Sequence, residues 1–182
     1  LSGVNTTILG HGSAVLRDGN SDQLFSIEGS AVVTFSGITL RSGSATYGGC
    51  VSITGGSSMS ITTASSGGSS VSFRSTTFDS CTTYQGGGGF YASSSTIEVL
   101  DSTFRSCTAT SDGGGGFHAT DESSVALESS TFSSCSARYG DAFTVESASS
   151  VAMTTPIHFI SNSGALDIWN LDIDEASITC SS

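Results

Sequence analysis

Residues 86–107 read GGGGFYASSSTIEVLDSTFRSC, and residues 113–135 read GGGGFHATDESSVALESSTFSSC. This near-copy is part of a longer series. The apolar residue closing each STF-like stretch recurs at Leu40, Phe78, Phe104, Phe132 and Phe159, and the last three intervals are 26, 28 and 27 residues. A unit of that size cannot bury its own apolar face, so it must stack on copies of itself.

Within each unit the alternation has period two. Val33, Val71, Ile97, Val125 and Val151 lie seven or eight residues before the closing residue, and Phe35, Phe73, Val99, Leu127 and Met153 follow two positions later. The intervening Thr34, Ser72, Glu98, Ala126 and Ala152 vary, as they do on a strand with one buried face. A second alternation follows each closing residue: Val51-Ser52-Ile53, Phe90-Tyr91-Ala92, Phe117-His118-Ala119, Phe143-Thr144-Val145 and Leu166-Asp167-Ile168. Glycine-rich turns announce it, where a side chain would obstruct bends and close backbone approach. No segment has helical periodicity.

Like residues at fixed phase demand parallel, in-register stacking rather than the hairpins of a sandwich. The expected fold is all-β: a single-stranded parallel β-helix of about six to seven coils and ~27 residues per coil. Residues 1–182 read as one such domain, with opening coils 1–30, regular repeats 31–166 and an irregular exit coil 167–182. The longer interval between Val33 and Val71 implies one enlarged coil, bulging within residues 54–70 as a surface loop or an extra short strand.

Composition narrows the function classes. Serine and threonine make up about a third of the chain, and its net charge is −11 with five arginines and no lysine. Nucleic acid and anionic membrane surfaces would be repelled. No run of 18 apolar residues offers a membrane-inserting segment. The first residues lack an initiator Met and the order of a signal peptide, so a mature or excised segment is expected. None of the five cysteines forms a CxxC pair, which argues against zinc-knuckle and thioredoxin-like motifs. Asn5-Thr6-Thr7 is a sequon for N-glycosylation.

The segments GGCV, GGGGF (twice) and GDAF, followed by FDSC, FRSC, FSSC and FISN, resemble the paired GGAI and FxxN motifs of polymorphic outer-membrane-protein repeats. The resemblance spans about residues 30–170. It implies a right-handed parallel β-helix used for adhesion, display or structural spacing. Asn162 keeps that motif's asparagine, whereas Gly43, Cys81, Cys107 and Cys135 replace it. An internal cysteine ladder is therefore expected where the family has an asparagine ladder.

Cys81, Cys107 and Cys135 should stand on consecutive coils at the ~4.8 Å interstrand spacing, which a disulfide can span. They are buried thiols, or one bridge forms among the three. Cys50 and Cys180 lie elsewhere in the repeat and are unpaired or pair outside the ladder. No His or carboxylate shares the ladder's phase, so no metal is expected.

Enzymatic signatures are thin. Gly10-His11-Gly12 is similar to a motif of polygalacturonase-like hydrolases, but it lacks the paired aspartates and the basic segment and reads as an opening turn. Arg41 and Arg105 occupy equivalent positions and read as surface charges balancing Asp79 or Asp101. The acidic stretch 166–175 lacks the glycine-bearing loop of a calcium site. The outward residues on the two alternations are too irregular for an ice-binding array. Tyr91 and His118, adjacent in the stack, are candidates for a surface sugar contact.

The sequence thus predicts a non-catalytic extracellular or cell-surface module, structural or adhesive, without cofactors. It would be a segment of a longer protein or a filament subunit stacked end to end, partnered by its own kind, by neighbouring β-helix segments or by cell-surface glycans. The alternative is a polysaccharide-binding or polysaccharide-degrading β-helix of lyase or hydrolase type.

Overall fold

The structure, a computed structural model, describes residues 1–17, 22–55, 69–162, 168–170 and 177–180. All paired strands run parallel, and the partners Val71, Ile97, Val125, Val151 and Ile178 are 26, 28, 26 and 27 residues apart. The chain is an all-β right-handed parallel β-helix of about five turns. Both alternations align as the sequence predicts over most of their length.

Three walls enclose the core. Strands Ser69–Arg74, Ser95–Leu100, Ser124–Glu128, Ser150–Met153 and Ser177–Cys180 stack as the first wall. Thr77–Asp79, Thr103–Arg105, Thr131–Ser133 and His158–Ile160 form the second. The long strands Asn5–Arg17 and Val32–Arg41 run through both, and the register of their pairing shifts between Leu9 and Ala14, where the expected opening turn falls. The third wall is Phe25–Glu28, Val51–Thr54, Phe90–Ser93, Phe117–Thr120, Phe143–Val145 and Ile168–Asn170.

Two details depart from the sequence reading. A short arm of two-residue strands, Ser44–Ala45, Thr82–Thr83 and Thr108–Ala109, separates the second wall from the glycine turns. Ile168, not Leu166, pairs with Phe143, which puts Trp169 rather than Asp167 beside Thr144. A slip of two residues preserves the inward phase, so the apolar pattern does not register it. The expected bulge falls largely on residues 56–68, outside the described residues.

Phenylalanines fill the interior in two columns. Phe78, Phe104 and Phe132 stack at 4.6 Å between successive ring centroids, and Phe90, Phe117 and Phe143 at 4.9 and 4.7 Å. All six are fully buried. The columns face each other across the core, with Phe78 and Phe90 centroids 5.9 Å apart. The rung spacing sets these distances, so each ring packs on its own copy in the next coil.

The corners use one repeated device. A non-glycine residue with left-handed φ turns the chain, and the next side chain points inward and bonds across the stack. Between the first and second walls the turning residues are Ser75, Asp101 and Ser129, followed by the buried Thr76, Ser102 and Ser130. The Thr76 amide donates to Ser102 Oγ at 3.2 Å, and the Ser102 amide to Ser130 Oγ at 3.3 Å. Between the third and first walls, the Ser95 and Ser123 amides donate to Ser123 Oγ and Ser149 Oγ at 3.2 and 3.0 Å. At a corner the backbone tilts out of the strand ladder, and a hydroxyl from the next coil satisfies the amide left over.

The third such corner carries Cys81, Cys107, Cys135 and Asn162 after Ser80, Ser106, Ser134 and Ser161. Here the Cys135 amide donates to Asn162 Oδ1 at 2.9 Å, and the Cys107 and Cys135 thiols point to the carbonyls of Phe78 and Phe104 at 3.5 and 3.6 Å.

Candidate functional site

The outer side of the third wall brings the most side-chain chemistry together. Its outward column, in register, is Ser26, Ser52, Tyr91, His118 and Thr144. The turn preceding each strand folds over the outward residue one coil further on. Gly87 and Gly114 make the bend with φ of 75° and 74°, where L side chains are strained. A Cβ on Gly86 would collide with the His118 ring, and one on Gly113 with the Thr144 side chain. The absent side chains are thus the space in which His118 and Thr144 lie.

His118 is only 3% exposed, and its Nε2 is bonded to Glu146 Oε1 at 2.7 Å. Its Nδ1 is buried against the Gly86 turn without a hydrogen-bond partner among the described residues. That favours the tautomer with the hydrogen on Nε2, donated to Glu146. The expectation that His118 offers a sugar an open ring face is therefore corrected, because the glycine turn covers it.

Tyr91 does remain half-buried at the surface, but its neighbour is Tyr47, whose ring lies 4.9 Å from it at 50°. Tyr47 is 44% exposed. On the other side Tyr91 meets His118 edge-on, 5.5 Å between centroids. Burial, followed by the charge of Asp121, the Tyr47 hydroxyl and Glu146, pushes the Tyr91 hydroxyl up to about 12. It stays protonated and available as a donor at any physiological pH. Ser93 donates to Asp121 Oδ2 at 2.8 Å, which fixes that exposed carboxylate beside the tyrosines. Together these residues form an aromatic step with one open ring, one protonated hydroxyl and two carboxylates. Sugar C–H faces can stack on such a ring, and sugar hydroxyls can bond to the carboxylates. Tyr47 escaped the sequence reading because it lies in the turn, outside either alternation.

The second wall holds a different cluster. Arg41, Asp79 and Arg105 are in register, and both arginines pair with the Asp79 carboxylate, Arg105 at 3.0 Å. Arg105, then Arg41 and Ser80, hold the Asp79 carboxyl down at about 2 against the opposing effect of burial. Both arginines settle on Asp79 rather than Asp101. Beside them runs a regular column not noticed in the sequence, Thr39, Thr77, Thr103 and Thr131, ending at His158. Its signal was the threonine directly before each closing residue, Leu40, Phe78, Phe104 and Phe132.

The cysteine ladder is also only partly as expected. Cys81, Cys107 and Cys135 are buried at equivalent corners, yet Cys81 is disulfide-bonded to Cys50, which the ladder argument had placed elsewhere. The reason is Gly43. It holds the ladder position one coil earlier, and a Cβ there would lie 3.1 Å from Cys50 Sγ. The missing side chain leaves room for Cys50 to enter the corner and reach Cys81. Cys107 and Cys135 are free thiols, and burial pushes Cys107 well above the ordinary thiol range.

Asn5, the sequon residue, is exposed in the strand Asn5–Arg17. Among the described residues no three His, Cys, Asp or Glu converge as metal ligands, and no helix is long and apolar enough to cross a membrane. Most of the acidic stretch 166–175 lies outside the described residues.

Comparison with curated proteins and with solved structures returned no match. A family described as right-handed β-helix regions matches residues 5–172. The stacked walls, the corner ladders and this match over most of the chain agree, and the protein belongs to the right-handed β-helix family.

Proposed function

We propose that this β-helix is an extracellular structural and adhesive module that holds neutral glycans on the outer side of its third wall and does not cleave them. The observation that carries the reading is the open Tyr47 ring laid on Tyr91 beside Asp121 and Glu146. With a chain charge of −11, uncharged sugars are favoured over uronates or sulfated chains. The Cys50–Cys81 disulfide supports an oxidising, extracellular setting. The likeness to polymorphic outer-membrane-protein repeats, carried by GGGGF and FRSC, supports display at a cell surface.

The His118–Glu146 pair is the arrangement nearest to acid–base machinery, but the buried imidazole has no route to a glycosidic oxygen. The test is affinity electrophoresis through gels containing neutral or acidic polysaccharides, run beside an assay for released reducing or unsaturated ends. Retardation by a neutral polysaccharide without release supports the reading; release of ends establishes the enzyme alternative.

The same proposal includes stacking on other β-helix coils. Strand Asn5–Arg17 pairs with Val32–Arg41 on one side, and its other edge fits a further parallel strand from a second copy or a neighbouring segment. Filaments or end-to-end dimers in electron micrographs at high concentration support that part, and uniformly single particles contradict it.

A further inference from the structure

We propose that Cys107 and Cys135 are a second disulfide site, a staple along the coil axis that complements the Cys50–Cys81 bond across the corner. The register Phe104 with Phe132 and Arg105 with Ser133 carries both cysteines to the same corner on adjacent rungs. Rungs ~4.8 Å apart fall within the Cα separation of disulfides. Both thiols are fully buried at that corner, and each points to the carbonyl of the closing phenylalanine one coil back, Phe78 for Cys107 and Phe104 for Cys135.

What Cys50 does for Cys81 has no counterpart further up. The Cys50 amide bonds to the Gly89 carbonyl, the Gly89 amide to Gly116, and the Gly116 amide to Ala142, so these residues share one column. Gly89 and Gly116 can form no bridge across the corner, and Cys81 is already engaged. Among the described residues, the free cysteine on the rung next to Cys107 is Cys135. Cys180 pairs in register with Met153 on the first wall, in a column otherwise filled by Phe35, Phe73, Val99 and Leu127. That wall is not the one the cysteine corner follows, so Cys180 has no partner in the proposed pairing.

The bond forms while the coils are still opening. Once packed, the raised Cys107 thiol supplies little of the thiolate that exchange requires. With glutathione disulfide as oxidant, two S–H bonds break and one S–S bond forms. The two electrons and two protons convert one glutathione disulfide to two glutathiones.

The reduced, unfolded chain is refolded in a glutathione buffer, alkylated under denaturing conditions without reductant, and digested after acidic residues. Asp112, Asp121, Glu122 and Glu128 separate Cys107 from Cys135, so the linked peptides are distinguishable by mass. The expected map has Cys50 joined to Cys81, Cys107 joined to Cys135, and alkyl label on Cys180. Label on Cys107 and Cys135 together with an intact Cys50–Cys81 bond overturns the proposal, as does a Cys81–Cys107 peptide. In Cys135→Ser, label must appear on Cys107 while Cys50–Cys81 persists; its absence there also counts against the proposal. Mapping protein secreted into an oxidising medium applies the same criteria without refolding.

Discussion

The inside and the outside of the third wall obey different rules. Inward positions repeat a type in nearly every coil, as in Phe90, Phe117 and Phe143, whereas the outward residues one step along are Tyr91, His118 and Thr144. Stacking explains the first: a side chain inside the stack packs on its own copy, so a change in one coil disturbs two others. No such demand acts outside, where the covering turn adapts instead. It carries tyrosine over Tyr91 and glycine over His118 and Thr144. Stability should therefore follow the inward columns and recognition the outward one.

The largest effect is expected from Phe104→Ala, which opens a hole between Phe78 and Phe132 in one column and beside Phe90 and Phe117 in the other. Its loss should cost about 3–5 kcal/mol in denaturant unfolding. A cost below ~1 kcal/mol would mean that the column is not what holds the coils.

Asp79→Asn comes next and adds a pH signature. The folded carboxyl sits near 2, below its ordinary value of 3.8, so it stabilises the fold at neutral pH and stops doing so as pH falls from about 4 toward 2. With both arginines half exposed, about 1–2 kcal/mol is expected at pH 7. The gap between wild type and variant should narrow from pH 4 and close only below pH 2, where the folded carboxyl is also protonated; a gap that does not narrow over that range would assign the effect to packing.

Ser102→Ala strips the Thr76 amide of its acceptor inside the corner, with an expected loss of about 1–2 kcal/mol in the same measurement. Ser133→Ala, on the neighbouring strand but outside the corner ladder, is the control and should stay within about 0.5 kcal/mol.

The inward columns were legible because repetition and period two reinforce each other at Val33, Val71, Ile97, Val125 and Val151. The same periodicity hid the slip from Leu166 to Ile168, since both have the inward phase. Two-residue strands such as Thr82–Thr83 carry too little pattern to be seen. The partner of Cys81 was invisible for another reason: it depends on the side chain that Gly43 lacks and on how the glycine turn swings Cys50 into the vacated corner. The aromatic step was half legible. Tyr91 stood out by phase, but the cover over His118 and the exposure of Tyr47 are properties of turns, which no column predicts.

Tyr47→Ala separates the two surfaces most directly, and it should change stability by less than about 0.5 kcal/mol because the ring is largely outside the packed core. Retardation of wild type and Tyr47→Ala in the same neutral-polysaccharide gels, with melting temperatures recorded in parallel, is the decisive measurement. The account predicts that the variant melts with the wild type and loses its retardation; a variant that melts unchanged and is retarded as strongly as wild type would contradict it.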